Sequence, residues 1–191
     1  MRVIAGSVKG IPLKAVPGQS TRPTTDKVKE SIFNIIGPFF DGGYALDLFA
    51  GSGGLGIEAL SRGIDFTVFI DRDRKAIETI NANLEKTRLT NQAEVHRADA
   101  KRAIKVLKKN DFKARLLFLD PPYHEASFYD LMDFAAHQGI VTDGAIVVCE
   151  HEKQAELKDR TACFKRIRKE NYGGTVISIY LHEKEEGEQV E

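Results

Sequence analysis

The chain has little cysteine, no tryptophan and no long apolar run. Its 191 residues include two cysteines, Cys149 and Cys163, which are far apart and match no metal or redox spacing. We therefore expect both thiols to be reduced in a cytoplasmic protein. The five histidines form no H-x-x-x-H pair, so we predict no metal site. No apolar stretch approaches the about 18 residues of a membrane span, and the first residues lack the apolar core of a secretion signal.

Charge is balanced over the whole chain but unevenly distributed. The 28 basic residues equal the 28 acidic ones, yet residues 1–25 carry four basic residues and no acidic one. Residues 101–115 hold seven basic residues and one acidic residue, and residues 153–170 hold seven and three. Such stretches can follow a phosphate backbone, although lysine-rich helix faces are often only solvated. The glutamate-rich residues 183–191 are predicted to be a disordered tail.

Strand and helix patterns alternate through most of the chain. Apolar runs that end in polar residues predict strands, and apolar positions at helical spacing predict the helices between them. The predicted strands are 44–49, 66–71, 93–97, 115–119 and 145–150, and the predicted helices are 55–62, 73–87, 100–109 and 126–137. Residues 162–168 and 174–182 predict a C-terminal antiparallel hairpin. We therefore predict an α/β fold with a seven-stranded, mainly parallel sheet and helices on both faces.

The first 43 residues predict a small extension of this core. Val3–Ile4 and Leu13–Val16 read as the two strands of a β-hairpin, with a turn at Lys9–Gly10. A helix then begins near Thr24–Asp26, where a side chain can cap it, and ends at Gly37–Pro38. We predict one domain over residues 1–182, with residues 1–43 as the extension and residues 44–182 as the α/β core.

The segment Leu46–Gly56 predicts a buried strand that runs into a glycine turn and a helix. Gly51, Gly53 and Gly56 match G-x-G-x-x-G, and Asp71 follows Gly51 by 20 residues at the end of the next strand. This pattern is compatible with a nicotinamide-dependent dehydrogenase.

Asp47 argues against a dinucleotide at this turn. Its carboxylate lies at the strand end, where it would repel a pyrophosphate but attract a cationic amino group. A ligand that combines an adenosine, a cationic amino group and no phosphate is S-adenosylmethionine. We therefore favour S-adenosylmethionine as the cofactor.

A second motif, Asp120-Pro121-Pro122-Tyr123, follows the apolar run 116–119. The two prolines fix two φ angles and leave backbone carbonyls free to accept hydrogen bonds. Asp120 can accept from an –NH2 group, and Tyr123 offers a ring face for stacking. The motif predicts a site for a flat molecule that carries an amino group, such as a nucleobase.

These motifs resemble those of the class I S-adenosylmethionine-dependent methyltransferases, which have a Rossmann-like fold. More narrowly, the chain resembles the bacterial RsmD family, which methylates the N2 amine of a guanine in 16S ribosomal RNA. The resemblance covers roughly residues 1–182. It is carried by the stretches Arg2–Gly6, Arg22–Thr24 with Lys27–Asn34, Asp47–Gly53 and Asp120–Tyr123.

The resemblance implies a role for each residue of these motifs. Asp47 would hold the amino group of the cofactor, Asp71 its ribose hydroxyls and Asp99 its adenine amino group. The implied cofactor-binding residues are Asp47, Phe49, Ala50, Gly51, Ser52, Gly53, Asp71, Arg72, Asp99 and Ala100. The implied catalytic residues are Asp120, Pro121, Pro122 and Tyr123, and the implied RNA-contacting residues are Arg2, Lys9, Lys14, Arg22, Thr24 and Lys27.

Several alternatives stay open at this point. Asp71 and Asp99 could simply cap helices, and Phe49 could pack in the core. The same D-P-P-Y motif serves enzymes that methylate adenine N6 or a glutamine amide, and a non-catalytic RNA-binding protein is a further alternative. The resemblance implies a 16S ribosomal RNA or small-subunit partner. The lack of a long apolar run predicts no membrane association, the cysteine usage predicts a cytoplasmic location, and nothing in the sequence requires more than a monomer.

Overall fold

The computed structural model describes residues 1–18, 25–121 and 129–183. Seven strands and five α-helices are found in these residues. The strands are β1 (Tyr44–Leu48), β2 (Phe66–Asp71), β3 (Ala93–Arg97), β4 (Ala114–Leu119), β5 (Val141–Glu152), β6 (Phe164–Tyr172) and β7 (Thr175–His182). The helices are α1 (Asp26–Ile36), α2 (Gly54–Ser61), α3 (Arg74–Thr87), α4 (Ala100–Lys109) and α5 (Leu131–His137), with a 3₁₀ turn at Thr90–Gln92.

All seven strands form one sheet in the order β3-β2-β1-β4-β5-β7-β6. The first five strands in that order run parallel, and β7 pairs antiparallel with both β5 and β6. The predicted Rossmann-like sheet with a C-terminal antiparallel hairpin is therefore confirmed. The strand order reverses between β1 and β4, and ligands of open parallel sheets bind beside such a reversal, at the carboxyl ends of the strands.

Each face of the sheet is covered by its own apolar layer. Leu48 of β1 and Leu119 of β4 point to the face that packs on α4 and α5. Ala45 of β1 and Phe118 of β4 point to the opposite face, which packs on α1, α2, α3 and the N-terminal segment. This alternation follows from the period of two in a strand, so it also fixes the face on which each polar strand residue lies.

The N-terminal segment forms the predicted antiparallel hairpin, although the paired residues are 1–3 and 10–13 rather than 3–4 and 13–16. A bridge joins Arg2 to Pro12, the Val3 N–H donates to the Ile11 carbonyl at 3.0 Å, and the Leu13 N–H donates to the Met1 carbonyl at 3.0 Å. The residues that follow the first arm bind side chains of helix α2. The buried Glu58 carboxylate accepts the N–H groups of Ile4 and Ala5 at 2.8 and 3.0 Å. The same carboxylate pairs with Lys29 of α1 and Arg62 beyond α2, at 3.4 and 2.7 Å.

Helix α5 spans Leu131–His137, and residues 126–128 of the helix predicted over 126–137 lie outside the described part of the chain. Other predicted boundaries need correction. Strand β5 is longer than predicted because it extends from Val141 to Glu152. Glu183, assigned to the disordered tail, donates its N–H to the Cys163 carbonyl at 3.1 Å. Residues 184–191 lie outside the described residues.

In the described ranges, no helix is long and apolar enough to cross a membrane. The longest α-helix in the described residues is α3, with 14 residues.

Candidate cofactor and acceptor site

The glycine turn joins the end of β1 to the start of α2 through several left-handed residues. Phe49, Gly51 and Gly53 have φ values of 64°, 55° and 78°. A Cβ atom added at Gly51 would meet nothing within 4 Å, so the space beside this backbone is open to a ligand. At Gly56 a Cβ would lie 2.3 Å from the Phe69 ring, so this glycine serves the packing of α2 on β2.

Asp47 lies beneath this turn, with only 2% of its surface exposed. The Gly56 N–H donates to its Oδ2 at 3.1 Å. Burial raises the pKa of Asp47 to about 7, and the nearby Asp71 carboxylate adds to the shift. A cationic group beside Asp47 would oppose both effects, so the site fits the amino group of an amino-acid ligand.

Asp71 ends β2 and is bonded to the glycine turn. The Gly51 N–H donates to its Oδ2 at 2.8 Å, and the Asp73 N–H donates to its Oδ1 at 2.9 Å. The cap of α3 is Asp73, whose side chain accepts the Lys75 N–H. The helix-cap interpretation of Asp71 is therefore wrong, and its carboxylate lies where a ligand in the turn could reach it.

Asp99 caps helix α4, which was one of the two roles considered for it. Its Oδ1 accepts the Arg102 N–H at 3.0 Å at the start of α4. Its Oδ2 pairs with the Arg72 guanidinium, and this hydrogen bond is the main reason that the pKa of Asp99 is lowered. The two side chains are 41% and 63% exposed. Ala100 beside them is buried, and adenine contacts by Asp99 and Ala100 stay a prediction.

Asp120 follows β4 directly, and its pKa is raised well above the usual range. Burial is the main cause, followed by the carboxylates of Glu150 and Asp47. Pro121 next to it is buried. Pro122 and Tyr123 were also predicted to be catalytic, and both lie outside the described residues.

The strand register places the central carboxylates on one face of the sheet. Asp47 is the Cα partner of Phe118, two residues before Asp120. Leu119 is the partner of Cys149, so Asp120 and Glu150 are the next residues of the two strands. Because alternate residues share a face, Asp47, Asp120 and Glu150 all point toward the side of the sheet that carries α1 and α2.

Four of the six residues predicted to contact RNA lie in the described part of the chain, and all four are exposed. Lys9, Lys14 and Lys27 have exposed side chains. Arg2 is exposed as well and pairs with Asp26 at 3.3 Å. Arg22 and Thr24 lie outside the described residues.

Three functional candidates, Glu58, Asn83 and Glu150, were missed in the sequence. Asn83 of α3 binds both backbone groups of Lys14, at 2.8 and 3.0 Å, and the Ser52 carbonyl at 2.9 Å. It thus joins the N-terminal segment to the glycine turn. A polar residue on the apolar face of a helix is the signal for Asn83 and Glu58, and a carboxylate at a strand end is the signal for Glu150.

The sheet order, the glycine turn and the Asp120 strand end together define a class I methyltransferase fold. A solved structure from Escherichia coli described as "Putative methyltransferase yhhF" superposes with a TM-score of 0.80 at 29% identity. The match covers 96% of this chain and 98% of that chain.

Sequence comparison identifies the family. The model described as "Conserved hypothetical protein 95" matches residues 1–181. The chain is 53% identical over 180 residues to "Putative rRNA methyltransferase YlbH" of Bacillus subtilis, covering 94% of this chain and 98% of the relative. It is 29% identical over 183 residues to "Ribosomal RNA small subunit methyltransferase D" of Escherichia coli, covering 96% and 90%. The chain belongs to this family of methyltransferases, the RsmD family.

Proposed function

We propose that this protein transfers the methyl group of S-adenosylmethionine to the exocyclic N2 amine of a guanine in 16S ribosomal RNA. The relatives named as ribosomal RNA methyltransferases support the substrate class. We further propose that it acts in the cytoplasm as a monomer on the small ribosomal subunit or on an assembly intermediate of it.

The observation that carries this proposal is the pair of acidic side chains at the reversal of strand order. Asp47 near the end of β1 and Asp120 directly after β4 lie on the same face of the sheet, one beneath the glycine turn and the other at the start of D-P-P-Y. A donor held at the turn and an acceptor held at Asp120 would therefore be close together. When bound, S-adenosylmethionine supplies a methyl group on a positively charged sulfur.

The glycine turn fits that cofactor in two respects. The open space beside Gly51 allows a ligand to lie against bare backbone, and the buried Asp47 carboxylate favours a cationic amino group. The Asp71 oxygens keep lone pairs beyond those that accept Gly51 and Asp73, so they can also accept ribose hydroxyls.

Asp120 and Pro121 would prepare the acceptor amine. The lone pair of a nucleobase amine is conjugated with the ring, so the amine is a poor nucleophile. A carboxylate oxygen of Asp120 and the Pro121 carbonyl can each accept one N–H, which favours a pyramidal nitrogen with its lone pair free. Most of the acceleration would then come from alignment, for which the ceiling is roughly 7–11 kcal/mol.

A guanine within a helix could not reach such a site. The substrate base must be unpaired or turned out of its stack, which costs a few kcal/mol. The exposed Lys9, Lys14 and Lys27 would add affinity for the phosphate backbone without reading the sequence.

The test is methyl transfer to small ribosomal subunits from cells that lack this protein. Purified protein and S-adenosylmethionine labelled in the methyl group are incubated with these subunits, and the RNA is digested to nucleosides. We expect label in N2-methylguanosine at one position. Subunits from cells that contain the protein are the matched control and should accept little label.

Two results would contradict the proposal. Label in N6-methyladenosine or in a protein glutamine would reassign the acceptor to one of the other substrates of the D-P-P-Y motif. Tight binding of NAD without binding of S-adenosylmethionine, measured by calorimetry, would reassign the cofactor.

A further inference from the structure

Glu150 is a buried carboxylate at the acceptor end of the site, and neither motif includes it. It lies near the end of β5, and only 4% of its surface is exposed. Its backbone carbonyl accepts the Tyr129 hydroxyl at 2.8 Å, which fixes this part of the strand. Its backbone is also paired with Ile177 of β7. The position of Glu150 is thus set by neighbours on two sides.

The side chain of Glu150 is directed to the same space as that of Asp120. The pairing of β4 with β5 ends at Leu119 and Cys149, and the two acidic residues follow directly on the same face of the sheet. Their electrostatic interaction is strong enough to be the second cause of the raised pKa of Asp120. A planar base held by Asp120 would therefore present its neighbouring edge to Glu150.

The edge of guanine beside its amine differs from that of adenine. Guanine carries an N1–H donor next to the N2 amine, whereas adenine carries an N1 acceptor next to its N6 amine. A carboxylate can accept the N1–H of guanine, but it would face the lone pair of adenine N1. In a buried site the unpaired acceptors would be costly, so the discrimination would be large.

We propose that Glu150 selects guanine by accepting its N1–H, while Asp120 and Pro121 hold the N2 amine. This inference rests on the proposed function, because it concerns the same acceptor. It explains how a D-P-P-Y motif common to adenine and guanine enzymes would be restricted to guanine. Glu150 is then a specificity residue that contacts the substrate at an atom that does not react.

The test compares two acceptors in the proposed enzyme. Small subunits are reconstituted from 16S RNA that carries, at the mapped position, either guanine or 2-aminopurine, which keeps the 2-amino group but has an acceptor at N1. The wild type should prefer guanine in kcat/KM by about 100-fold or more. In Glu150→Gln the side-chain amide can donate to N1 of 2-aminopurine, so the preference should fall by at least about tenfold.

Glu152→Gln is the matched control, since it makes the same change two residues further along β5. It should keep the wild-type preference, and calorimetry should give all three proteins the same affinity for S-adenosylmethionine. An unchanged preference in Glu150→Gln would overturn the inference and leave the proposed function standing. Absence of methyl transfer to guanine by the wild type would instead overturn the proposed function.

If Glu150→Gln does not fold, the comparison of guanine with 2-aminopurine still tests the inference. The wild type alone must then discriminate between the two acceptors, and Glu150→Ala provides a second variant without a donor. Equal use of guanine and 2-aminopurine by the wild type would overturn the inference. A strong preference for guanine that Glu150→Ala reduces would support it.

Discussion

The outer edge of the site differs from its centre in the electrostatics of its carboxylates. At the edge, Asp71 and Asp99 accept hydrogen bonds from strong donors, whereas burial dominates the electrostatics of Asp47 and Asp120 at the centre. Asp71 accepts two backbone N–H groups, and Asp99 accepts one together with the Arg72 guanidinium. At the centre, burial raises the pKa values of Asp47 and Asp120. The edge is thus organised before a ligand arrives, and the centre favours ligands that bring positive charge or N–H donors.

This difference separates binding from reactivity. A preformed edge can hold neutral hydroxyl groups without rearrangement, which supports affinity. Buried carboxylates destabilise the unliganded protein as pH rises, but they interact strongly with a charge or donor that enters the same dry space. We therefore expect substitutions at the centre to alter turnover, stability and pH dependence, with an effect on cofactor affinity at Asp47 as well. Substitutions at the edge should alter mainly cofactor affinity.

The largest expected effect is that of Asp120→Ala on turnover. Loss of one positioned polar contact should lower kcat by roughly 10²–10³-fold. The affinity for S-adenosylmethionine should change little, because Asp120 would contact the acceptor. Methyl transfer to small subunits and calorimetry measure the two quantities. Wild-type turnover in this variant would contradict the acceptor role.

Asp47→Asn should stabilise the unliganded protein in a pH-dependent way. The pKa of Asp47 is about 7 in the folded protein, against about 3.9 when unfolded. At pH values below about 3.9 the residue therefore does not reduce the free energy of unfolding, and this free energy falls as the pH rises toward 7. The asparagine cannot ionise, so the variant should exceed the wild type by roughly 2–4 kcal/mol at pH 8 and by little at pH 4. Denaturant unfolding at both pH values measures this.

The same substitution also tests the cofactor role. Loss of the negative charge should weaken S-adenosylmethionine binding at pH 8, so the variant would be more stable but bind less tightly. In the wild type, affinity should rise between pH 6 and pH 8, because binding of a cation favours the ionised form of Asp47. A wild-type affinity that is flat with pH would contradict this role.

Asp71→Ala should weaken cofactor binding by about 10- to 30-fold, because the lost carboxylate binds the glycine turn and is expected to bind the ribose. Turnover at saturating cofactor should fall far less than in Asp120→Ala. Calorimetry and steady-state rates distinguish the two effects. A large loss of kcat with unchanged affinity would remove the distinction between edge and centre.

The smallest expected effect is that of Arg72→Ala. Its ion pair with Asp99 is mostly exposed, so the free energy of unfolding should change by at most about 1 kcal/mol. Cofactor affinity should also change by only a few-fold, since Asp99 keeps its helix cap. A loss as large as that of Asp71→Ala would show that the edge depends on this pair.

The strong strand patterns allowed much of the sheet to be predicted. Predicted strands 66–71 and 93–97 agree with the observed bounds, because apolar runs and polar ends mark them clearly. The contacts that hold the N-terminal hairpin on the core could not be predicted. Ile4, Val8 and Lys14 donate to side chains of Glu58, Ser61 and Asn83, and contacts between residues over 50 positions apart leave no local pattern.

In the candidate site, too, some residues could be predicted from the sequence and others could not. The glycine turn and Asp120 could be found from their motifs, since each needs particular residues at short spacing. Glu150 is marked in the sequence as a carboxylate at the end of predicted strand 145–150, but its place beside Asp120 became known only from the β4 and β5 register. Exclusion of the capping role at Asp71 also required the structure, because Asp71 and Asp73 are both plausible caps by sequence; ribose binding by Asp71 stays a prediction.

The most direct test of the account is a crystal structure with S-adenosylmethionine bound. We predict that its amino group lies at Asp47, its ribose at Asp71 and its sulfonium methyl toward Asp120. A cofactor bound away from the glycine turn, or a methyl group directed away from Asp120, would contradict the central claim.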